Sequence, residues 1–515
     1  MSRPALRPLV VLGLLLTTGC TTLGPDFEGV DPPELSGWDA ALHGTVEPGT
    51  DEADAPTEWW RLFDDPVLEA LVLEAGRNNL SLQRAGLAVL QARALQGVAH
   101  AGRYPQVQQA TAAATYLDKE NHGGGETSQS YGSFQAGFGI GWELDFWGRY
   151  QRAIEGADAA FLASIEAQRA MQVLVKAEVA TAYFNWRILG LRIEIAHRNA
   201  QLQKRSLEIA TELYQSGNTS ELDLQQARTQ YLATLATIPQ LELQRRRVLN
   251  AITLLLGRPP APLAALKDAT RPLPAVEDRV VRGIPARLLL RRPDVRAAAW
   301  AVAAQSARIG VAEADLYPAI SLVGTLGWSS TTLGGVPDGS LLALGPSLRW
   351  NLFDHGLIRN NVRLQDALLQ EKLAQYRQTV LEAAREVDDA AVGLVKTGAQ
   401  EKILEQTVTA ARRALEIAQI SYREGYADFQ RVLDAQRSLF TQNDRLLSIR
   451  GERLGYLVAL YKGLGGGWSP ADVNEMIPAV TRDTMRERTD WGDLLDAPLP
   501  ISLPDPIHSP TDATP

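Results

Sequence analysis

The chain carries 28 prolines, yet none falls between Tyr150 and Ile238 or between Ser347 and Ser469. Proline removes an amide donor and clashes with the preceding helical turn, so its exclusion from runs rich in Ala, Leu, Gln, Arg and Glu predicts uninterrupted helices. Before the chain turns back, only Gly156, Gly190, Gly393 and Gly398 interrupt them. A single helix from Tyr150 to Tyr214 is roughly 95 Å long at 1.5 Å per residue, more than an ordinary globular core covers. Helices of that length bury an apolar stripe by lying along one another, so each is expected to fold back as a hairpin. The turns are expected at two glycine-bearing links, YQSGNTS around Gly217 and YREGYAD around Gly425.

The pattern occurs twice. ARALQGVAHAGRYP, ending at Pro105, aligns with QSARIGVAEADLYP, ending at Pro318. Trp142, Leu144 and Gly148 return as Trp350, Leu352 and Gly356, and Tyr214, Gly217 and Ala227 as Tyr422, Gly425 and Ala435. The last two correspondences share an offset of 208 residues and the first has 213, which places a short insertion in the segments between helices. Two internal repeats are the economical reading.

Those segments, about 106–146 and 319–353, read as β-hairpins. Between Tyr131 and Leu144, the residues Phe134, Ala136, Phe138, Ile140, Trp142 and Leu144 alternate with small or polar ones. Leu342, Leu344, Leu348, Trp350 and Leu352 repeat the alternation; Ile320, Leu322, Leu326 and Trp328 fit it with fewer polar partners, and the stretch after Pro105 fits it weakly. This is the period of a strand with lipid on one side and a wet lumen on the other, and equally that of a half-buried soluble sheet. Four strands fall short of the eight or so that close a barrel, and open edges are not tolerated in hydrocarbon, so the membrane reading requires several copies in one wall. Glycine-rich links around Gly124 and Gly335 suit exposed loops.

The ends favour the membrane. Arg3 and Arg7, the apolar run from Leu9 to Leu16, then Thr17, Thr18 and Gly19 have the layout of a secretory signal at 1–19. That run is too short to span a bilayer. Cys20, the only cysteine, follows at once, which makes lipidation of its thiol the expected use. Net charge is −9 without a basic block, so nucleic acid is excluded as a partner. The Pro- and Ser-rich end PLPISLPDPIHSPTDATP is expected to be a mobile tail.

In order along the chain stand GPDF from Gly24, WWRLFDDPVLEAL from Trp59, WELDFWGR from Trp142, IPARLLLRRPDVRAAA from Ile284, YPAISL from Tyr317, YREGYADFQRVLDAQRSLF from Tyr422 and ALYKGLGGGW ending at Trp468. Together they resemble the TolC-type outer-membrane factors, specifically their lipoprotein NodT branch, over nearly the whole chain from Cys20 to Trp468. The resemblance implies an α+β membrane protein. A trimer would form a twelve-stranded outer-membrane β-barrel, four strands per chain, continuous with a twelve-helix periplasmic α-barrel and girdled by a mixed equatorial domain. The corresponding division is an N-terminal equatorial segment at 20–65, a first repeat at 66–257, an equatorial linker at 258–284, a second repeat at 285–464, and a C-terminal equatorial segment with the tail at 465–515.

The resemblance also implies function: a passive duct for drugs or other toxic solutes in a tripartite pump with a periplasmic adaptor and an inner-membrane RND-type transporter. In the family the helical tips close the duct. By motif the gate residues here are Tyr422, Asp434, Arg431, Asp223 and Asp428, and the adaptor docks at the tips around Gly217 and Gly425. Asp434 would form an acidic ring that concentrates cations. Asp223 is placed to bond Tyr422, and Arg431 to pair with Asp434, Asp428 or Asp223. An Ala at 427 and an Arg at 431 depart from members with a basic latch and a second acidic ring there. Apart from a covalent lipid on Cys20 no cofactor is expected, and no metal, since the six histidines lack ligand spacing. Glu143 and Asp145 share a strand face without a cleft, so no enzyme is expected. A protein-secretion exit duct of the same fold, and a lipid-anchored periplasmic coiled-coil scaffold, are the alternatives.

Overall fold

The computed structural model describes residues 21–33, 57–120, 128–268, 272–274, 286–334 and 337–507. Cys20 and the loop positions Gly124 and Gly335 lie outside them. Helices α1 (Pro66–Asn78) and α2 (Leu80–Ala101) lead into β1 (Val107–Glu120) and β2 (Ser128–Leu144), then α3 (Arg149–Gln215) and α4 (Glu221–Leu255). The order recurs as α5 (Pro293–Ala314), β3 (Ala319–Ser330), β4 (Gly339–Arg349), α6 (Leu357–Arg423) and α7 (Phe429–Gly463). Both α3 and α6 have 67 residues and both α4 and α7 have 35, about 100 Å and 52 Å of helix. Helix α4 continues through Pro239.

Each long helix outruns its return partner, and a shorter helix takes over along the remaining length. Helices α2, α4, α5 and α7 all pack on α3, and α5 and α7 on α6. The joints are made by the residues that open the short helices. Asn79 caps α2, its Oδ1 accepting from the amides of Ser81 (2.8 Å) and Leu82 (3.1 Å), while its Nδ2 donates to the carbonyl of Leu255 at the end of α4 (2.8 Å). In the second half Arg292, before α5, donates from Nη1 to the carbonyl of Gly463 at the end of α7 (2.9 Å). One side chain thus satisfies a carbonyl that the helix end leaves orphaned. At the first joint Gly257 has φ +67°, and a Cβ there would lie 2.4 Å from the Asn78 carbonyl oxygen.

The main core sits where these joints meet. Trp59 is fully buried and stacks on Tyr461 with centroids 5.6 Å apart; Phe63 packs on Phe184 at 4.9 Å. Asp65 is its polar hub. Its Oδ1 caps α1 through the amides of Val67 and Leu68, and its Oδ2 accepts from Tyr183 Oη (2.7 Å) and Arg187 Nη1 (2.9 Å).

The end of the chain corrects the expectation of a mobile tail. After α8 (Val473–Met476) and α9 (Ala479–Arg488), Leu499 and Ile507 are buried, and Ile507 forms a parallel bridge with Val30. Proline lacks a donor but keeps a carbonyl acceptor. Arginines of the helices meet the carbonyls of this stretch: Arg93 at Ala497 (2.7 Å), Arg169 at Ile501 (3.0 Å) and Arg296 at Pro504 (2.8 Å). The terminal 508–515 lie outside the described residues.

The four strands form one antiparallel sheet in the order β1-β2-β3-β4. Ala110, Phe138, Leu326 and Leu342 lie in one cross-strand row, as do Gln108, Ile140, Gly324 and Leu344. Even-numbered residues therefore share one face throughout and odd-numbered residues the other. The even face of β2, β3 and β4 is apolar, and the odd face is mainly Gly, Ser, Thr, Gln and Ala. The weakly patterned stretch after Pro105 is nonetheless a 14-residue strand, paired with β2 along its length. Among the described strand side chains none is buried.

The Asp65 hub yields a graded expectation. Asp65→Ala removes the cap of α1 and a buried partner of Arg187, and lowers stability by about 3–5 kcal/mol; Asp65→Asn, which keeps a cap acceptor, costs less. Thermal loss of helical circular dichroism in detergent reads both, and equal midpoints for wild type and Asp65→Ala contradict the hub.

Candidate functional site at the helical tips

Both tips are built the same way. Helix α3 ends at Gln215 with Ser216 as its cap, after which Gly217 has φ +75°; its amide donates to the Tyr214 carbonyl (3.0 Å) and that of Asn218 to Leu213 (2.8 Å). At the other tip Gly425 has φ +78°, with its amide on the Tyr422 carbonyl (3.1 Å) and that of Tyr426 on Ser421 (2.8 Å). This pair of bonds is the Schellman ending, which needs a left-handed residue and so selects glycine. The starts of the returning helices differ. Ser220 and Asp223 form a reciprocal capping box on α4, whereas Asp428 caps α7 through the amide of Arg431 (3.3 Å).

The proposed gate residues sort accordingly. Asp223 accepts from Thr219 Oγ1 (2.8 Å) and from Ser220 Oγ (2.8 Å). The Thr219 bond, followed by those from Ser220, holds its carboxyl below the ordinary range. The carboxylate is thereby used locally, and the expected Asp223–Tyr422 hydrogen bond is not formed. Tyr422 instead packs its ring on Phe429, centroids 5.2 Å apart. Desolvation first, and the charge of Asp223 second, push its hydroxyl pKa upward. Arg431 lies 3.8 Å from Asp428 and takes neither Asp434 nor Asp223. Asp434 accepts from Gln430 Nε2 (3.1 Å) and lies 3.7 Å from Arg437. Asp428, Arg431 and Asp434 are all exposed in the single chain, above a small core of Leu415, Phe429, Val432 and Leu433.

Sequence reasoning missed the contacts that tie the two hairpins together above the tips. Arg192 on α3 grips Asp444 on α7 with Nε and Nη2 (2.7 and 3.0 Å), and Gln436 donates to Ser206 Oγ (2.9 Å). It also missed a strap. The Leu23 amide bonds the Trp147 carbonyl (3.1 Å), and buried Arg152 donates to the carbonyls of Leu23 (2.9 Å) and Gly24 (3.1 Å) and to Asp26 Oδ1 (2.6 Å). Backbone contact admits no side chain here: a Cβ on Gly24 would lie 2.4 Å from Gly310 Cα, and one on Gly148 2.6 Å from Thr22 Cγ2. Part of the signal was present in GPDF and WELDFWGR, whose Gly24, Asp26, Trp147 and Gly148 carry these contacts, while Arg152 lies three residues beyond the second motif. Asp145 lies past the end of β2 and accepts from the amides of Tyr150 and Gln151, so it opens α3 and does not pair with Glu143 on a strand.

A family model described as outer membrane efflux protein matches residues 71–258 and 284–466. The chain is 32% identical over 464 residues to the toluene efflux pump outer membrane protein TtgF of Pseudomonas putida, covering 88% of this chain and 95% of that protein. It is 29% identical over 475 residues to the probable outer membrane lipoprotein SilC of Salmonella typhimurium, covering 90% and 99%. The solved outer-membrane channel OprN matches with a TM-score of 0.78 and 34% identity, covering 87% of this chain and 99% of that one. The chain belongs to the outer membrane efflux protein family, and is an outer-membrane channel protein and not an enzyme.

Proposed function

We propose that this chain is the passive exit duct of a tripartite efflux pump. It works as a homotrimer that receives small molecules from an inner-membrane RND-type transporter through a periplasmic adaptor docked at the tips around Gly217 and Gly425. The observation that carries the reading is the sheet: four strands, an apolar even face, a polar odd face, and no buried side chain among those described. Such a sheet is an incomplete wall, and lipid tolerates no open edge. Three copies supply twelve strands, enough to close. The helices support the same closure. Contacts run α6–α7–α3–α4, which leaves α4 and α6 as outer members. Leu222, Leu232, Leu243 and Leu254 on α4, and Leu364, Leu381 and Ile403 on α6, are exposed apolar side chains that a neighbouring copy covers.

A lipid on Cys20 fits this arrangement. The strap holds Thr22 against Gly148, where β2 gives way to α3. Two residues span at most about 7 Å, so the acyl chains enter the membrane leaflet beside that joint. At the other end, Asp434 from each copy forms the acidic ring of the gate, with Arg431, Asp428, Asp223 and Tyr422 setting how the tips pack.

Three measurements test this. Leu344→Arg, on the even face, costs about 2–4 kcal/mol at mid-membrane and abolishes heat-modifiable trimers on electrophoresis, while Ser347→Arg, on the odd face, leaves them; the reverse order, or a monomer in detergent, defeats the duct. Asp434→Asn combined with Arg431→Ala changes current and ion selectivity of trimers in planar bilayers; unchanged recordings remove both from the gate. Because the Asp223 pKa is lowered on folding, its stabilisation of the first tip is full above the ordinary carboxylate range and lost as pH falls through the lowered value. Amide exchange at the start of α4 therefore quickens on acidification, relative to its intrinsic rate, in wild type and not in Asp223→Ala; identical profiles contradict the capping box.

A further inference from the structure

The described side chains of the odd face carry little charge. Among its described side chains Glu143 and Arg349 are the only ionised groups. Both stand at the same end: Glu143 is the penultimate residue of β2 and Arg349 the last of β4, next to the helices. The strand between them presents Ala319 and Ser321 on that face, paired with Arg349 and Glu143 respectively. Neither is tall enough to separate the two long side chains, and Arg349 Nη2 comes to 3.9 Å from Glu143 Oε2. From the helical side Arg149 Nη1 lies 3.6 Å from Glu143 Oε1 and 3.4 Å from Asp315 Oδ1 at the end of α5.

Two guanidiniums and two carboxylates cancel in number, but they do not face water equally. The Glu143 side chain is 17% exposed and that of Arg349 76%. Asp145 and Asp354, just beyond β2 and β4, turn their carboxylates to the amides of Tyr150, Gln151, Gly356 and Ile358. The charge that protrudes over the polar face is therefore the Arg349 cation, with Glu143 held beneath it. In a narrow low-dielectric tube the protruding sign sets which ions enrich.

We infer that Arg349, oriented by Glu143, forms a basic belt at the periplasmic mouth of the barrel and is a selectivity-determining residue for the duct, favouring anionic over cationic solutes there. The belt is separate from the acidic tip: two selectivity elements of opposite sign lie in series. This rests on the trimeric duct proposed above, in which the belt recurs around the lumen.

The test is the reversal potential of trimers in planar bilayers under a potassium chloride gradient, made in an Asp434→Asn background so that the proposed acidic ring of the tip is removed. Arg349→Gln and Arg349→Glu lower the chloride-to-potassium permeability ratio, the second by roughly threefold or more; Arg349→Lys retains it, and Glu143→Gln, which uncovers the cation, raises it. Conducting trimers in which Arg349→Gln, Arg349→Glu and Glu143→Gln all leave the reversal potential unchanged overturn the belt while the duct stands. A parent chain that is monomeric in detergent overturns the duct, and the belt with it.

Discussion

A strand edge in hydrocarbon must find a partner, because no water is there to satisfy its amides and carbonyls. This chain brings a sheet with β1 and β4 at its two edges and apolar side chains along one face. Much else follows from that demand. The sheet is not covered by its own helices, so in the proposed duct its stability lies in assembly, and the helices continue away from it instead of folding back over it. Two left-handed glycines, Gly148 and Gly356, stand where β2 and β4 hand the chain to α3 and α6.

A helix of 67 residues creates a second demand, for burial along its whole length. The fold meets it by splicing two shorter helices end to end beside the longer one. Asn79 and Arg292 stand at equivalent joints yet use different chemistry: an amide that caps α2 and donates to the end of α4, and a guanidinium that donates to the end of α7 while bonding Asp294 and Glu386. The same divergence runs through the tips. One return helix starts on a Ser220–Asp223 box, the other on Asp428 with Arg431 at the position corresponding to Asp223. Near-identical backbones thus carry different charges toward the proposed gate, and the two hairpins are not interchangeable there.

Three carboxylates, Asp223, Asp145 and Asp354, are committed to helix ends. Asp434 and Arg349 keep their charges exposed, and in the proposed duct they weigh on what passes.

Length, period and repetition were legible from the residues. Absence of proline set the helices; alternation set three of the four strands; glycine within a polar link set both turns. Each is a local property, fixed by backbone sterics or side-chain spacing. The packed C-terminal stretch was not legible, because a proline-rich segment looks unburiable until Arg93, Arg169 and Arg296 are seen to supply its donors. Nor were the strap beneath Arg152, the Arg192–Asp444 clamp or the pairing of Glu143 with Arg349. These join residues more than 100 positions apart, and a carboxylate's role depends on which donor reaches it first. Sequence alone determined what each element is and how often it occurs; tertiary structure decided which charges are spent on holding the elements together and which remain to face the solute, because only proximity in space distinguishes a cap from a gate.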